Sequence, residues 1–141
     1  MSRRTFEGSS NCAAPASTVW TVWSNPTEWP GGIIQSTSID GEFVVGAKIR
    51  GKVKGGPATT STITDINEPR SWVGVSRFPG LTMTYEHTIE DVEDGTVLTE
   101  RVIMDGPLAG IAGQLMGKNL KKTFAGTTGR IAELAEARIA R

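Results

Sequence analysis

The apolar positions of this chain change period twice. From Pro15, residues Ala16, Val19, Trp20, Val22 and Trp23 recur at three- and four-residue steps, the spacing that lines one face of a helix. That helix ends before Asn25-Pro26, because proline disfavours helical geometry in the residue preceding it. A second short helical turn, Thr27–Trp29, stops at Pro30-Gly31-Gly32, and the two together make an elbow. From Ile33 the period becomes strand-like. Six strands are predicted over Ile33–Asp40, Phe43–Lys54, Ala58–Asn67, Ser71–Phe78, Leu81–Val92 and Thr96–Met104. Gly41, Gly55-Gly56-Pro57, Glu68-Pro69, Pro79-Gly80 and Asp94-Gly95 separate them. Residues 2–12, with Phe6 the only large apolar group, read as an edge strand.

The helical period returns from Pro107 to Arg141. Leu108, Ile111, Ala112, Leu115, Leu120, Phe124, Ile131, Leu134, Ala135 and Ile139 form the apolar stripe. Lys118, Lys121, Lys122, Arg130, Glu133 and Glu136 lie largely between them. Pro107 suits the first helical position with Asp105 beside that positive end, and Arg138 and Arg141 suit the C-terminus. A long amphipathic helix needs a surface to cover its apolar face. Strand, two short helices, six strands and one long helix therefore predict an α+β domain over residues 1–141, built on an antiparallel sheet.

Counting back from two-residue loops sets a register. Across Pro79-Gly80, Phe78 faces Leu81, Ser76 faces Met83, Gly74 faces Tyr85 and Trp72 faces His87. Across Asp94-Gly95, Glu93 faces Thr96, which puts Ile89 opposite Glu100, His87 opposite Val102 and Tyr85 opposite Met104. One face then carries Trp72, Phe78, Leu81, Met83, Tyr85, His87, Ile89, Leu98, Glu100, Val102 and Met104. The other carries Arg77, Thr82, Thr84, Glu86, Thr88, Glu90, Thr99 and Arg101, and this sorting into apolar and polar sets supports the register. The long helix is expected to cover the first face incompletely. Gly110, Gly113, Gly117, Gly126 and Gly129 thin it, and a dry core disfavours His87 and Glu100 unless they are paired. A ligand pocket between sheet and helix fits these features, with close packing of backbone on sheet as the alternative.

Composition narrows the partners. Lys plus Arg equals Asp plus Glu at 15 each, so net charge gives no reason to expect nucleic acid or an anionic membrane. Neutrality leaves self-association, as a homodimer, open. The single cysteine, Cys12, excludes an internal disulfide and a cysteine zinc cluster, and one histidine leaves too few ligands for a catalytic metal. No cofactor is implied. No apolar run reaches the length of a membrane span and no signal sequence follows Arg3-Arg4, so the expected location is cytoplasmic, without membrane insertion.

Several motifs in order resemble the polyketide cyclase/dehydrase and lipid-transport family of the START-like, Bet v 1-like (SRPBCC) superfamily. They are Pro15-Ala16-Ser17-Thr18-Val19-Trp20, then Trp23-Ser24-Asn25-Pro26-Thr27-Glu28-Trp29-Pro30, Gly46-Ala47-Lys48, Glu68-Pro69-Arg70-Ser71-Trp72, Thr84-Tyr85-Glu86-His87, Gly95-Thr96 and Asp105-Gly106-Pro107-Leu108-Ala109-Gly110. The resemblance implies a helix-grip fold around a hydrophobic cavity. Gly31-Gly32-Ile33 departs from the family pattern, which implies an altered pocket mouth.

The expected function is binding of a small hydrophobic ligand, lipid or polyketide-like. Trp72, Phe78, Met83, Tyr85, Val102, Met104, Leu115 and Phe124 would be its walls, with His87 and Glu100 as polar contacts. Two alternatives stay open. One is a cofactor-independent cyclase or dehydratase using His87, with Glu100, as general acid and base. The other is a protein-interaction module whose cavity is incidental.

Overall fold

The structure, a computed structural model, describes residues 3–139. The chain runs β1 (Arg3–Cys12), α1 (Ala16–Trp23), a 3-10 turn (Pro26–Glu28), β2 (Ile34–Ile39), β3 (Lys48–Val53), β4 (Ala58–Asn67), β5 (Ser71–Phe78), β6 (Leu81–Val92), β7 (Gly95–Asp105) and α2 (Ala109–Ile139). One seven-stranded antiparallel sheet has the order β1-β7-β6-β5-β4-β3-β2, so β1 pairs with β7 and closes one edge. Arg141 lies outside the described residues. Two elements are shorter than the periodicity predicts. Residues 43–47 are loop, not strand, because Gly41 and Gly46 both take φ of 98° and turn Phe43 inward. Helix α2 begins at Ala109 and not at Pro107, since the Leu108 amide donates to the Gly80 carbonyl at 2.9 Å.

The first predicted register holds: Trp72 faces His87, Gly74 faces Tyr85, Ser76 faces Met83 and Phe78 faces Leu81. The second is displaced by two residues. Val92 faces Gly95 and the loop is Glu93-Asp94, with Asp94 at φ 70°. Gly95 belongs to the ladder because a Cβ there would stand 2.0 Å from the Cys12 carbonyl oxygen, which only glycine tolerates. A two-residue shift keeps every side chain on its face while changing each partner. His87 therefore faces Glu100, not Val102, Tyr85 faces Val102, and Ile89 faces Leu98. The outer face is polar as expected, with Arg101 bridging Glu7 at 3.0 Å and Glu86 at 3.3 Å.

Helix α2 lies on the inner face along β1, and small residues make that contact. A Cβ at Gly8 would be 2.6 Å from the Ala125 amide nitrogen and 2.8 Å from the Lys121 carbonyl oxygen, so helix backbone rests on strand backbone. The glycines of α2 are filled from below: Gly117 by Phe6, Gly113 by Arg4 and Phe6, Gly126 by Ile33. They bring the helix close to the sheet, and the expectation that they open a pocket towards the inner face is corrected: the space beside Gly113 and Gly117 opens on the surface. The buried stripe is Ala109, Gly113, Gly117, Phe124, Thr128, Ile131, Ala132 and Ala135, so the large residues Leu108, Ile111 and Leu115 point to solvent.

This packing predicts opposite outcomes for two glycine-to-alanine changes. Gly8→Ala forces backbone against backbone and is expected to lower stability by ~1–3 kcal/mol. At Gly129 a Cβ would meet only the Ser10 hydroxyl at 3.6 Å, an ordinary contact, so Gly129→Ala is expected to raise stability by ~0.5–1 kcal/mol. Urea denaturation midpoints read both.

Candidate functional site

One row of residues crosses the inner face from the β1 edge to β4. Gly8 pairs with Glu100, Glu100 with His87, His87 with Trp72 and Trp72 with Ile66. Alternation along each strand puts all five side-chain positions on the α2 side. The row separates two apolar clusters. One is built on Trp20, Trp23, Trp29, Ile63, Trp72 and Ile89, the other on Met83, Val102, Met104 and Phe124. Every helical element reaches it, as does the 40–47 loop.

His87 is 6% exposed and lies flat on Trp72, with ring centroids 3.6 Å apart and planes 2° from parallel. Trp23 of α1 meets it edge-on at 5.5 Å. Trp72 is further enclosed by Trp29 at 6.0 Å and Phe43 at 5.2 Å. His87 Nδ1 stands 3.1 Å from the Trp72 carbonyl oxygen, which can only accept, so Nδ1 carries its hydrogen there. Its Nε2 is 3.5 Å from Glu100 Oε2, an ion-pair separation longer than a good hydrogen bond. The Thr127 hydroxyl of α2 donates to Glu100 Oε1 at 2.7 Å. Trp72 Nε1 is buried with no hydrogen-bond partner among the described residues, whereas Trp29 Nε1 donates to the Val22 carbonyl at 2.9 Å.

Next to this row, the Tyr85 hydroxyl donates to Met83 Sδ at 3.5 Å, and the Tyr85 ring meets Phe124 edge-on at 6.4 Å. Burial pushes the Tyr85 phenol up to about 12; the Glu100 carboxylate adds to the rise and the Ser76 hydroxyl partly offsets it. Burial likewise raises the Cys12 thiol, whose Sγ lies 3.7 Å from the Ala132 carbonyl oxygen. That is the environment of a quiet structural thiol.

Eight of the ten expected site residues gather here: Trp72, Met83, Tyr85, His87, Glu100, Val102, Met104 and Phe124. Phe78 and Leu115 do not. Phe78 is 44% exposed at the end of β5, and Leu115 is 79% exposed because Gly113 and Gly117 take the sheet-facing positions of its helix turn. Two hollows of about 300 Å³ open on the surface, one beside Ser17, Thr21 and Arg138, the other beside Phe6, Gly113, Gly117 and Lys118. Neither reaches His87. Nothing in the sequence singles out Thr127, because a threonine in a helix carries no signal until its turn is placed over Glu100.

Gly31 also has a use that its sequence position does not announce. The Arg130 guanidinium donates to the Trp29 carbonyl at 3.1 Å and the Pro30 carbonyl at 2.7 Å, packed where a Gly31 Cβ would be 2.4 Å away. Arg138 donates to Glu28 at 2.6 Å. The elbow that carries Trp29 onto Trp72 is thus tied to α2.

A sequence model of the family described as polyketide cyclase/dehydrase and lipid transport matches residues 3–136. No curated protein matches the chain by sequence. Among crystal structures, the di-domain ARO/CYC StfQ from the steffimycin biosynthetic pathway superposes with a TM-score of 0.76 at 14% identity. The match covers 99% of this chain and 52% of that one, so this chain spans about half of that protein. Norcoclaurine synthase from Thalictrum flavum, in complex with dopamine and hydroxybenzaldehyde, gives 0.71 at 13% identity, over 94% of this chain and 86% of that one. Ara h 8.0201 gives 0.66 at 18% identity, over 96% and 99%. At such identities the likeness concerns the fold.

Tyr85 is the single tyrosine, which makes its environment measurable. Phenolate absorbance in the folded protein is expected to rise around pH 12, against about 10 for a free tyrosine, and Glu100→Gln should lower that midpoint. Because the folded value is raised, the stability the neutral phenol contributes is intact below pH about 10 and is lost as pH climbs through about 12. A midpoint near that of free tyrosine would show that the ring is not buried as described.

Proposed function

This chain belongs to the polyketide cyclase/dehydrase and lipid-transport family and has the Bet v 1-like fold, and from that premise we propose that it binds a small hydrophobic ligand between the sheet and α2. The ligand's polar end lies at the Glu100–His87–Trp72 row. Its apolar body lies against Met83, Tyr85, Val102, Met104 and Phe124. Lipids and polyketide-like molecules combine these two parts.

One observation carries the reading: Trp72 Nε1 is a buried donor with no partner, beside a paired histidine and carboxylate in an otherwise apolar interior. Buried N–H groups are nearly always bonded, and leaving one unpaired costs ~1–3 kcal/mol. A ligand carbonyl or hydroxyl oxygen would remove that cost. The site is closed in this conformation, so entry requires α2 or the elbow to swing aside, which means releasing Arg130 from Trp29 and Pro30. Phe78 and Leu115 have no part in it.

Native mass spectrometry of protein purified from its own source, with organic extraction, is expected to find a co-purifying apolar molecule. Trp72→Phe removes Nε1 together with part of the indole. It should weaken retention at least about fivefold, as for one neutral hydrogen bond, and the space it leaves among His87, Trp29 and Phe43 should lower thermal stability as well. No bound molecule, together with no stabilisation by lipids or aromatic polyketides, would move the reading to a packed core serving protein contacts.

The His87 geometry favours catalysis as a second reading. With Nδ1 held by a carbonyl, Nε2 faces Glu100 free to accept or deliver a proton, the arrangement a general acid–base needs in aldol-type cyclisation with loss of water. An enzyme should lose turnover of a linear poly-β-keto thioester in His87→Gln while still binding it. A carrier should show no turnover in either form, and that outcome would sink the catalytic reading.

A further inference from the structure

A net charge of zero hides a strong separation of charge. The antiparallel pairing brings the ends of β3, β5 and β7 and the starts of β1, β4 and β6 to one end of the sheet. Helix α2 starts at that same end, where Leu108 bonds Gly80. Arg3, Arg4, Lys52, Lys54 and Arg77 sit there. The only acid among the strand ends is Asp105, already bound to Arg3 at 3.0 Å. Along α2, Lys118, Lys121 and Lys122 follow, and no acidic residue occurs from 106 to 132. Among the described residues no carboxylate lies within ion-pair distance of these three lysines. The opposite end carries Glu68, Glu90, Asp91, Glu93 and Asp94, with Arg70 bound to Asp91 at 3.0 Å.

Several large apolar side chains meet water at the basic end, on or beside the first turns of α2, whereas those exposed elsewhere, Val44, Val45, Val92 and Ile139, have no lysine cluster beside them. Phe78 is 44% exposed, Leu108 46%, Ile111 60% and Leu115 79%. Leu108, just before α2, and then Ile111, Leu115, Lys118 and Lys122 follow one another at three- and four-residue steps, so a single outward stripe passes from aliphatic to cationic. Exposed apolar groups gathered in this way mark an interaction surface. Its chemistry selects the partner. Protein interfaces are depleted in lysine and enriched in arginine and aromatics. Aliphatic tips bordered by unpaired lysines suit a bilayer boundary, where the tips enter the acyl edge and the ammonium groups meet lipid phosphates. No described helix is long and apolar enough to cross a membrane, so the contact is peripheral.

We propose that this end of the molecule docks on an anionic lipid bilayer, with Phe78, Leu108, Ile111 and Leu115 entering the interface and Arg4, Arg77, Lys118 and Lys122 facing the headgroups. This surface is distinct from the His87–Glu100 row and does not depend on what binds there. The test is co-sedimentation of the whole chain with vesicles of phosphatidylcholine alone and of equimolar phosphatidylcholine and phosphatidylglycerol, at low and high salt. Pelleting is expected only with the anionic vesicles and should be lost at high salt. Lys118→Gln should weaken it about fivefold, and Ile111→Asp at least as much. Glu93→Gln at the far end should change nothing. These residues are exposed, so circular dichroism of the variants should match wild type. Equal pelleting on neutral vesicles, or none on either, overturns the proposal. So does a dimer that Ile111→Asp dissociates and that ignores vesicles.

Discussion

The rest of the structure depends on the contact of backbone with backbone at Gly8. Strand β1 has no side chain where α2 crosses it, and the helix settles until Ala125 and Lys121 main-chain atoms occupy the space of a Cβ. Once that point is set, the rotation of a rigid helix is set along its length. Thr127 arrives over Glu100, Arg130 over the elbow, and Phe124 over the Met83–Met104 cluster. The glycines at 113 and 117 continue the close approach over Arg4 and Phe6. They are the reason the larger residues of that half of the helix are turned to solvent.

The same contact organises the interior. Gly8 begins the row that continues through Glu100, His87 and Trp72, so the position that lets the helix descend is also the one beside the buried carboxylate. A carboxylate this little exposed needs partners, and Thr127 of α2 donates to one oxygen while His87 of β6 stands 3.5 Å from the other. The polar row splits what would be one core into two clusters. A fold that hosts carriers and enzymes alike does not specify the chemistry of that row; its atoms do.

Charge shows the same dependence on tertiary arrangement. The chain is balanced residue for residue, and neutrality argued against an anionic surface. Pairing the strands places the acidic turns at one end and the lysine-bearing half of α2 towards the other. A potential is a property of positions, so a total of zero says nothing of the field near either end.

Three of the strands, β4, β5 and β6, were legible to the residue, because turn dipeptides and period-two alternation are local signals. The order of elements and the family were legible from motifs spread along nearly the whole chain. So was the face shared by Trp72, Met83, Tyr85, His87, Glu100, Val102 and Met104, since a two-residue error in register preserves it. What the sequence could not determine are the features that depend on a distant close approach. Gly95 reads as a turn residue until the Cys12 carbonyl is placed against it, and that one contact moved His87 from Val102 to Glu100. The first half of the apolar stripe in α2 reads as buried until Gly113 and Gly117 take the sheet-facing positions, which puts Leu115 outside the site, while Phe78 lies outside it because it ends β5. Periodicity records the side chains a residue carries, whereas burial depends on the space its neighbours leave, and only the tertiary structure decides that space.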